Sequence, residues 1–225
     1  MRTVIVRAAV VASFVLAVNC APASAQQSAT PAPAARPNVT PPLKLTIPAF
    51  SEGGTIPIKY SCAAGTPPPS GPMHISLGVS PLILWSNVPP GTQSFVLILH
   101  DADAHIANAF EDIPHWIVFN IPGDATSLPE AIPPDDPLPN GTLQGHNMMR
   151  RAAYQGPCAP AEHLIPHHYT FQLYALEKKL DLPHGASRDD IQKAMDGHVL
   201  GGAVYIGRFL LPTESATVPS TSPVR

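Results

Sequence analysis

Charge is scarce in this 225-residue chain. Only 13% of its residues are Asp, Glu, Lys or Arg, and the formal net charge is −3. There is no basic surplus to neutralise phosphates along a duplex, so the composition excludes nucleic acid as a partner. Aromatics are also few, at 6%, and helix-forming stretches are interrupted by 29 prolines. That density of proline argues against a helical bundle, because each interior proline removes a helix hydrogen bond. Yet 44% of the chain is hydrophobic, too much for a disordered protein. Familiar enzyme signatures are missing as well. The chain has no GxSxG, no phosphate-binding P-loop, no HExxH and no dinucleotide glycine fingerprint. No cofactor is implied, and the reading is of a protein that is not an enzyme.

Long apolar runs are limited to one near the N-terminus. Arg2 and Arg7 precede the run from Ala8 to Val18, which is too short to span a bilayer. It leads to Ala23-Ser24-Ala25, a small-x-small cleavage pattern. Residues 1–25 read as a secretory signal, with Gln26 as the mature start and a periplasmic or secreted destination. Cys20 offers a second route, as a lipid-attached cysteine, with the bulky Asn19 before it as an argument against. Without Arg2 and Arg7 the mature chain carries a net charge of −5, too mild to name a partner.

Only three cysteines are present, and removing the signal leaves Cys62 and Cys158. An exported pair meets an oxidising compartment, so a disulfide is the expectation; two buried free thiols are the alternative.

Residues 26–43 are rich in Ala, Pro, Gln, Ser and Thr and read as a disordered spacer. Residues 212–225 have a similar Ser/Thr/Pro character and read as a tail. The folded domain is therefore expected at 44–211. Strands are expected at 56–61, 95–100, 116–120, 167–176 and 205–209, where β-branched and aromatic residues cluster. The continuous apolar run 95–100 suits a central strand covered on both faces. One helix is marked by Ser187 as cap and by Asp189 and Asp190 in the first turn. Ile191, Ala194, Met195 and His198 follow on one helical face, and Gly197 stands near the end. The stretch 124–153 has no period and reads as a long functional loop.

The residues able to carry chemistry are acids and histidines at strand ends. Asp101 and Asp103 follow the apolar run and share a face if the chain stays extended. His115 opens the strand 115–120, where alternation groups it with Ile117 and Phe119. His167 and Tyr169 share a face with Phe171 and Leu173, giving a polar mouth over an apolar floor. Each has a plain alternative: solvated loop acids, a packed structural histidine, a sheet surface. His163, His168, His184 and His198 carry no such pattern and read as solvated or packing residues. Gly156-Pro157-Cys158-Ala159-Pro160 forces a turn that can offer a backbone N–H to an anion or serve as a rigid connector.

In order, Ser80-Pro81-Leu82-Ile83-Leu84-Trp85, Asp101-Ala102-Asp103-Ala104, His115-Trp116, Gly145-His146-Asn147, Tyr154-Gln155-Gly156-Pro157-Cys158 and His167-His168-Tyr169 resemble the phosphatidylethanolamine-binding protein family, also called the Raf kinase inhibitor protein family, and its bacterial exported branch in particular. The resemblance covers about Leu45 to Phe209. It implies a mainly β fold of two antiparallel sheets with short C-terminal helices and a small anion pocket. Carried over by position, it implies Asp101, Asp103, His115, Gly156, Pro157, His167 and Tyr169 as ligand-binding residues. Three positions depart from the family pattern. Ala102 stands where proline is usual, His168 where arginine is usual, and Met148 where an acid is common.

The first functional reading is an exported binding protein for a small anionic or zwitterionic, phospholipid head-group-like ligand, with room for inhibitory or signalling contacts. Membrane contact would then run only through lipid head groups. A second reading is a metal-dependent hydrolase using Asp101, Asp103, His115 and His167. A third is an inhibitor of a protease or kinase acting through its loop surface.

Overall fold

The computed structural model describes residues 41–64, 77–105, 111–134 and 136–212. The signal segment, Cys20, most of the spacer and nearly all of the tail lie outside the described residues. The architecture is mainly β, built on two antiparallel sheets. A small sheet has the order β1-β2-β5, from strands Lys44–Thr46, Ile83–Ser86 and Ser127–Leu128. A five-stranded sheet has the order β6-β4-β3-β7-β8. Its strands are β3 (Ser94–His105), β4 (Asp112–Pro122), β6 (Leu143–Gly145), β7 (His167–Leu176) and β8 (Val199–Phe209).

The apolar run 95–100 explains this layout. β3 lies in the middle of the large sheet, hydrogen-bonded to β4 on one side and β7 on the other. Its alternate residues feed two cores. Phe95, Leu97 and Leu99 pack towards the small sheet with Trp85, Ile83, Trp116, Phe171 and Leu173. Val96 and Ile98 face the opposite way and pack with Ile117, Phe119, Leu180, Ile191 and Met195. Each large side chain buried this way contributes roughly 1.5–3 kcal/mol.

The second core is covered by the helix α1, Arg188–Met195. Ser187 accepts a hydrogen bond from the Asp190 N–H at 3.1 Å, and Asp189 and Asp190 occupy the positive end of the dipole. Ile191 and Met195 are buried, as their spacing predicts. His198 falls beyond the helix. Gly197 takes φ +76°, a left-handed turn suited to glycine, and His198 then pairs with Glu177 at 3.0 Å. Among the described residues no helix is long and apolar enough to cross a membrane.

One expected strand is absent. Thr55 makes a single bridge to Arg208, but Ile58–Tyr60 is a 3-10 turn. Pro57 is the reason: it has no N–H to give a ladder, and its carbonyl instead accepts from Tyr60 N at 2.9 Å. Among the described residues, the stretch 124–153 is loop apart from β5 and β6.

Cys62 and Cys158 form a disulfide with Cα atoms 5.4 Å apart, joining the segment after the 3-10 turn to the one before β7. This matches the expectation from an even cysteine pair.

Candidate functional site

At one end of the large sheet, β3, β4 and β7 open a cleft of about 280 Å³. Its walls include Asp101, His115, His163, His167, Tyr169 and the segment from Cys158 to Pro160. Asp101, His115, His167 and Tyr169 are all at most 5% exposed. A larger groove of about 670 Å³ beside α1 is lined by Ile98, Tyr174, Gln192, Lys193, Met195, Asp196, Gly197 and Val199. It contains no buried ionisable cluster, so we place the candidate site at the smaller cleft, where buried polar groups converge.

Strand register delivers each group. Asp101 pairs with Tyr169 across β3 and β7. His167, two residues before Tyr169, joins it on the same face, as the two-residue period requires. The His167 Nδ1 donates to Asp101 Oδ2 at 2.8 Å. Asp101 Oδ1 accepts from the Asp103 N–H at 3.0 Å. The Tyr169 hydroxyl accepts from the Cys158 N–H at 3.0 Å and lies within reach of the Asp101 charge. Burial, followed by the Asp101 charge, pushes the Tyr169 hydroxyl far above its ordinary range, so it stays protonated.

His115 reaches the cleft by a different route from the one alternation predicts. Leu99 pairs with Trp116 and His100 with Pro114, so His115 is the extra residue of a β-bulge. The bulge turns its ring to the side of Trp116, and it meets Tyr169 edge-on. Its Nδ1 donates to the Gln155 carbonyl at 2.9 Å, which fixes the tautomer of the ring. Burial lowers its pKa, opposed by the Gln155 carbonyl and the Asp101 charge.

Asp103 is not in the cleft. The pairing of β3 and β4 shifts again between Asp101 and His105, which breaks the alternation. Asp103 Oδ2 instead accepts from the His168 ring at 2.8 Å and from its backbone N–H, on exposed surface. The set Asp101, Asp103, His115 and His167 is therefore not assembled. Among the described residues, no group of three or more His, Cys, Asp or Glu is arranged to hold a metal ion.

Gly156 and Pro157 stand behind the wall rather than on it. A Cβ on Gly156 would lie 2.7 Å from the Ser61 and Tyr60 backbone, so only glycine fits there. Its N–H goes to Leu77 O, and the Pro157 carbonyl accepts from Cys62 N. The lining begins one residue later, at Cys158. Asn147 is buried and organises its own loop, with its amide oxygen accepting from Met149 N and Arg151 N. This loop supplies Met148 to the cleft.

Sequence reasoning missed His163. A 3-10 turn, Ala161–His163, is followed by Leu164 at φ 63°, and the chain folds back on itself. The His163 and His167 rings lie nearly end to end, with centroids 4.9 Å apart and planes at 25°, and His163 Nδ1 is 2.7 Å from His167 Nε2. The two histidines are four apart in sequence, a spacing that signals contact in a helix and says nothing across a turn ending in Pro166.

These groups sit on a fold with known relatives. The family model described as phosphatidylethanolamine-binding protein matches residues 46–210. The chain belongs to that family. It is 40% identical over 161 residues to a UPF0098 protein of Methanothermobacter thermautotrophicus, covering 72% of this chain and 94% of that one. It is 32% identical over 188 residues to a putative lipoprotein, LppC, of Mycobacterium tuberculosis, covering 83% and 79% respectively. Among solved structures, a putative phosphatidylethanolamine-binding protein homolog from Chlamydia trachomatis aligns with a TM-score of 0.61 at 31% identity. That alignment covers 75% of this chain and 97% of the other. Escherichia coli YbcL aligns with a TM-score of 0.64 at 26% identity, covering 76% and 99%.

Proposed function

We propose that this family member is an exported, non-enzymatic protein that binds a small phosphorylated or otherwise anionic ligand, of the head-group kind, in the cleft between β3, β4 and β7. The observation that carries the reading is the convergence of Asp101, His115, His167 and Tyr169 from three strands onto one small cavity. An apparent obstacle is the Asp101 carboxylate in a site for anions. Its oxygens already accept from His167 and the Asp103 N–H, so it orients donors rather than facing the ligand. The ligand then meets imidazole and phenol groups, which hydrogen-bond to phosphate oxygens. A zwitterionic ligand would fit with its phosphate inward and its amine outward. Export is supported by the relative described as a putative lipoprotein.

Titration calorimetry with phosphate and phosphoethanolamine tests the reading. His167→Ala should lose roughly 1.5–3 kcal/mol of binding, the scale of a charged hydrogen bond. Tyr169→Phe should lose less, because the ring remains. His184→Ala, outside the cleft, serves as the control. Unchanged binding in His167→Ala would sink the proposal.

A further inference from the structure

His163 stands where a ligand would have to stand. His167 Nδ1 faces Asp101 Oδ2 at 2.8 Å, and a carboxylate only accepts, so that nitrogen carries a proton. The remaining ring nitrogen of His167, Nε2, is the only one left for a ligand. It is already bonded, at 2.7 Å, to His163 Nδ1. One proton lies between these two rings and satisfies both nitrogens. An oxyanion cannot reach His167 Nε2 while the His163 ring is in place.

The His163 ring is also easy to remove. It is exposed, and the 3-10 turn that carries it buries none of its residues. Two backbone bonds define the turn, His163 N to Pro160 O at 3.1 Å and Leu164 N to Ala161 O at 3.2 Å. Rotating the ring outward leaves both intact and costs one ring-to-ring hydrogen bond. His167, by contrast, is 5% exposed and fixed by Asp101. One partner of the pair is anchored and the other is free to leave.

We infer that His163 is a built-in competitor for the ligand: its imidazole plugs the hydrogen-bonding position on His167 Nε2, and an oxyanion binds by displacing it, the hydrogen between ligand and ring then coming from a proton that Nε2 takes up from solvent or from a P–O–H of the ligand itself. The inference rests on the anion-binding reading above and adds to it a residue that sets affinity without holding the ligand. The class of ligand that displaces the plug is a phosphate-bearing group, free or as part of a head group.

The test is calorimetry on the full chain with three probes: inorganic phosphate, phosphoethanolamine and glycerophosphoethanolamine. The first two present a phosphate monoester or free phosphate, and the third presents the diester of a lipid head group. Removing the competitor in His163→Ala should tighten binding about three- to tenfold, the scale of one neutral hydrogen bond. His163→Asn, whose amide can donate to His167 Nε2 again, should bring the affinity back towards wild type. Nitrogen-15 spectra of the histidines supply a readout independent of affinity. The His167 Nε2 signal should move in His163→Ala without ligand, and should move in wild type when phosphate is added. If His163→Ala weakens binding as His167→Ala does, His163 holds the ligand and the plug is refuted. Unchanged affinity with an unmoved Nε2 signal refutes it too. If neither wild type nor His163→Ala binds any probe, the anion-binding reading itself falls and takes the plug with it.

Discussion

His115 meets Tyr169 edge-on, with ring centroids 5.1 Å apart and planes at 87°, because a β-bulge makes His115 the extra residue between Trp116 and Pro114. Without that bulge the ring would point into the second core beside Ile117. The contact joins β4 to β7 at the cleft, and its cost is a buried imidazole.

That cost should appear in the pH dependence of stability. Burial lowers the pKa of His115 below the ordinary 6.5, and His100, buried beside Asp112 and Arg188, shifts the same way for the same leading reason. The unfolded chain therefore takes up these protons at a higher pH than the folded one. Above about pH 6.5 both states are neutral and nothing is lost. As pH falls below that value the unfolded state gains protons first, and stability declines until the folded pKa values are reached. His115→Asn keeps a donor for the Gln155 carbonyl but does not titrate. Urea melts between pH 7 and 5 should show a shallower loss in this variant than in wild type. Equal slopes would mean His115 does not contribute.

Asp101 and Asp103 should separate cleanly. Asp101 is buried and accepts from His167 and the Asp103 N–H. Asp101→Asn presents an amide N–H₂ to a donor on at least one side, and should cost about 1–3 kcal/mol of stability. Asp103 pairs with His168 on exposed surface, where such pairs contribute about 0–1 kcal/mol. Chemical denaturation of the two variants measures the difference. Equal losses would place both acids in the same environment and contradict a buried Asp101 beside an exposed Asp103.

The Cys62–Cys158 bond closes a sequence separation of 96 residues. Cross-linking a loop that long restricts the unfolded chain by about 4–5 kcal/mol in the chain-entropy account, and removing native disulfides costs about 2–5 kcal/mol. Cys62→Ala/Cys158→Ala should lose stability in that range. Because the Cys158 N–H also donates to Tyr169, phosphate binding should weaken as well. Denaturation together with calorimetry reads both effects. A double variant as stable as wild type would contradict the structural role.

Much of this arrangement is legible in the sequence. The apolar run 95–100 announces a central strand, Ser187 with two acids announces α1, and the two-residue period puts His167 and Tyr169 on one face. These features follow from local chemistry. What stays hidden depends on register. Alternation sends His115 to the wrong face because a bulge has no strong residue signature, and it groups Asp103 with Asp101 because the shift before His105 is set by pairing between strands. Pro57 should have warned against a strand at 56–61. His163 is hidden more deeply, since its contact with His167 exists only once Leu164 turns left-handed. Gly156 is legible as a glycine that must be glycine, though the reason is packing on Ser61 rather than contact with a ligand.

The most direct test of the central claim is a crystal of the protein soaked with phosphoethanolamine. The account predicts density for the phosphate in the cleft, with an oxygen within hydrogen-bond distance of His167 Nε2 and the His163 ring swung away. Phosphate density at the groove beside α1, or an empty cleft with His163 still bonded to His167 at saturating ligand, would contradict it.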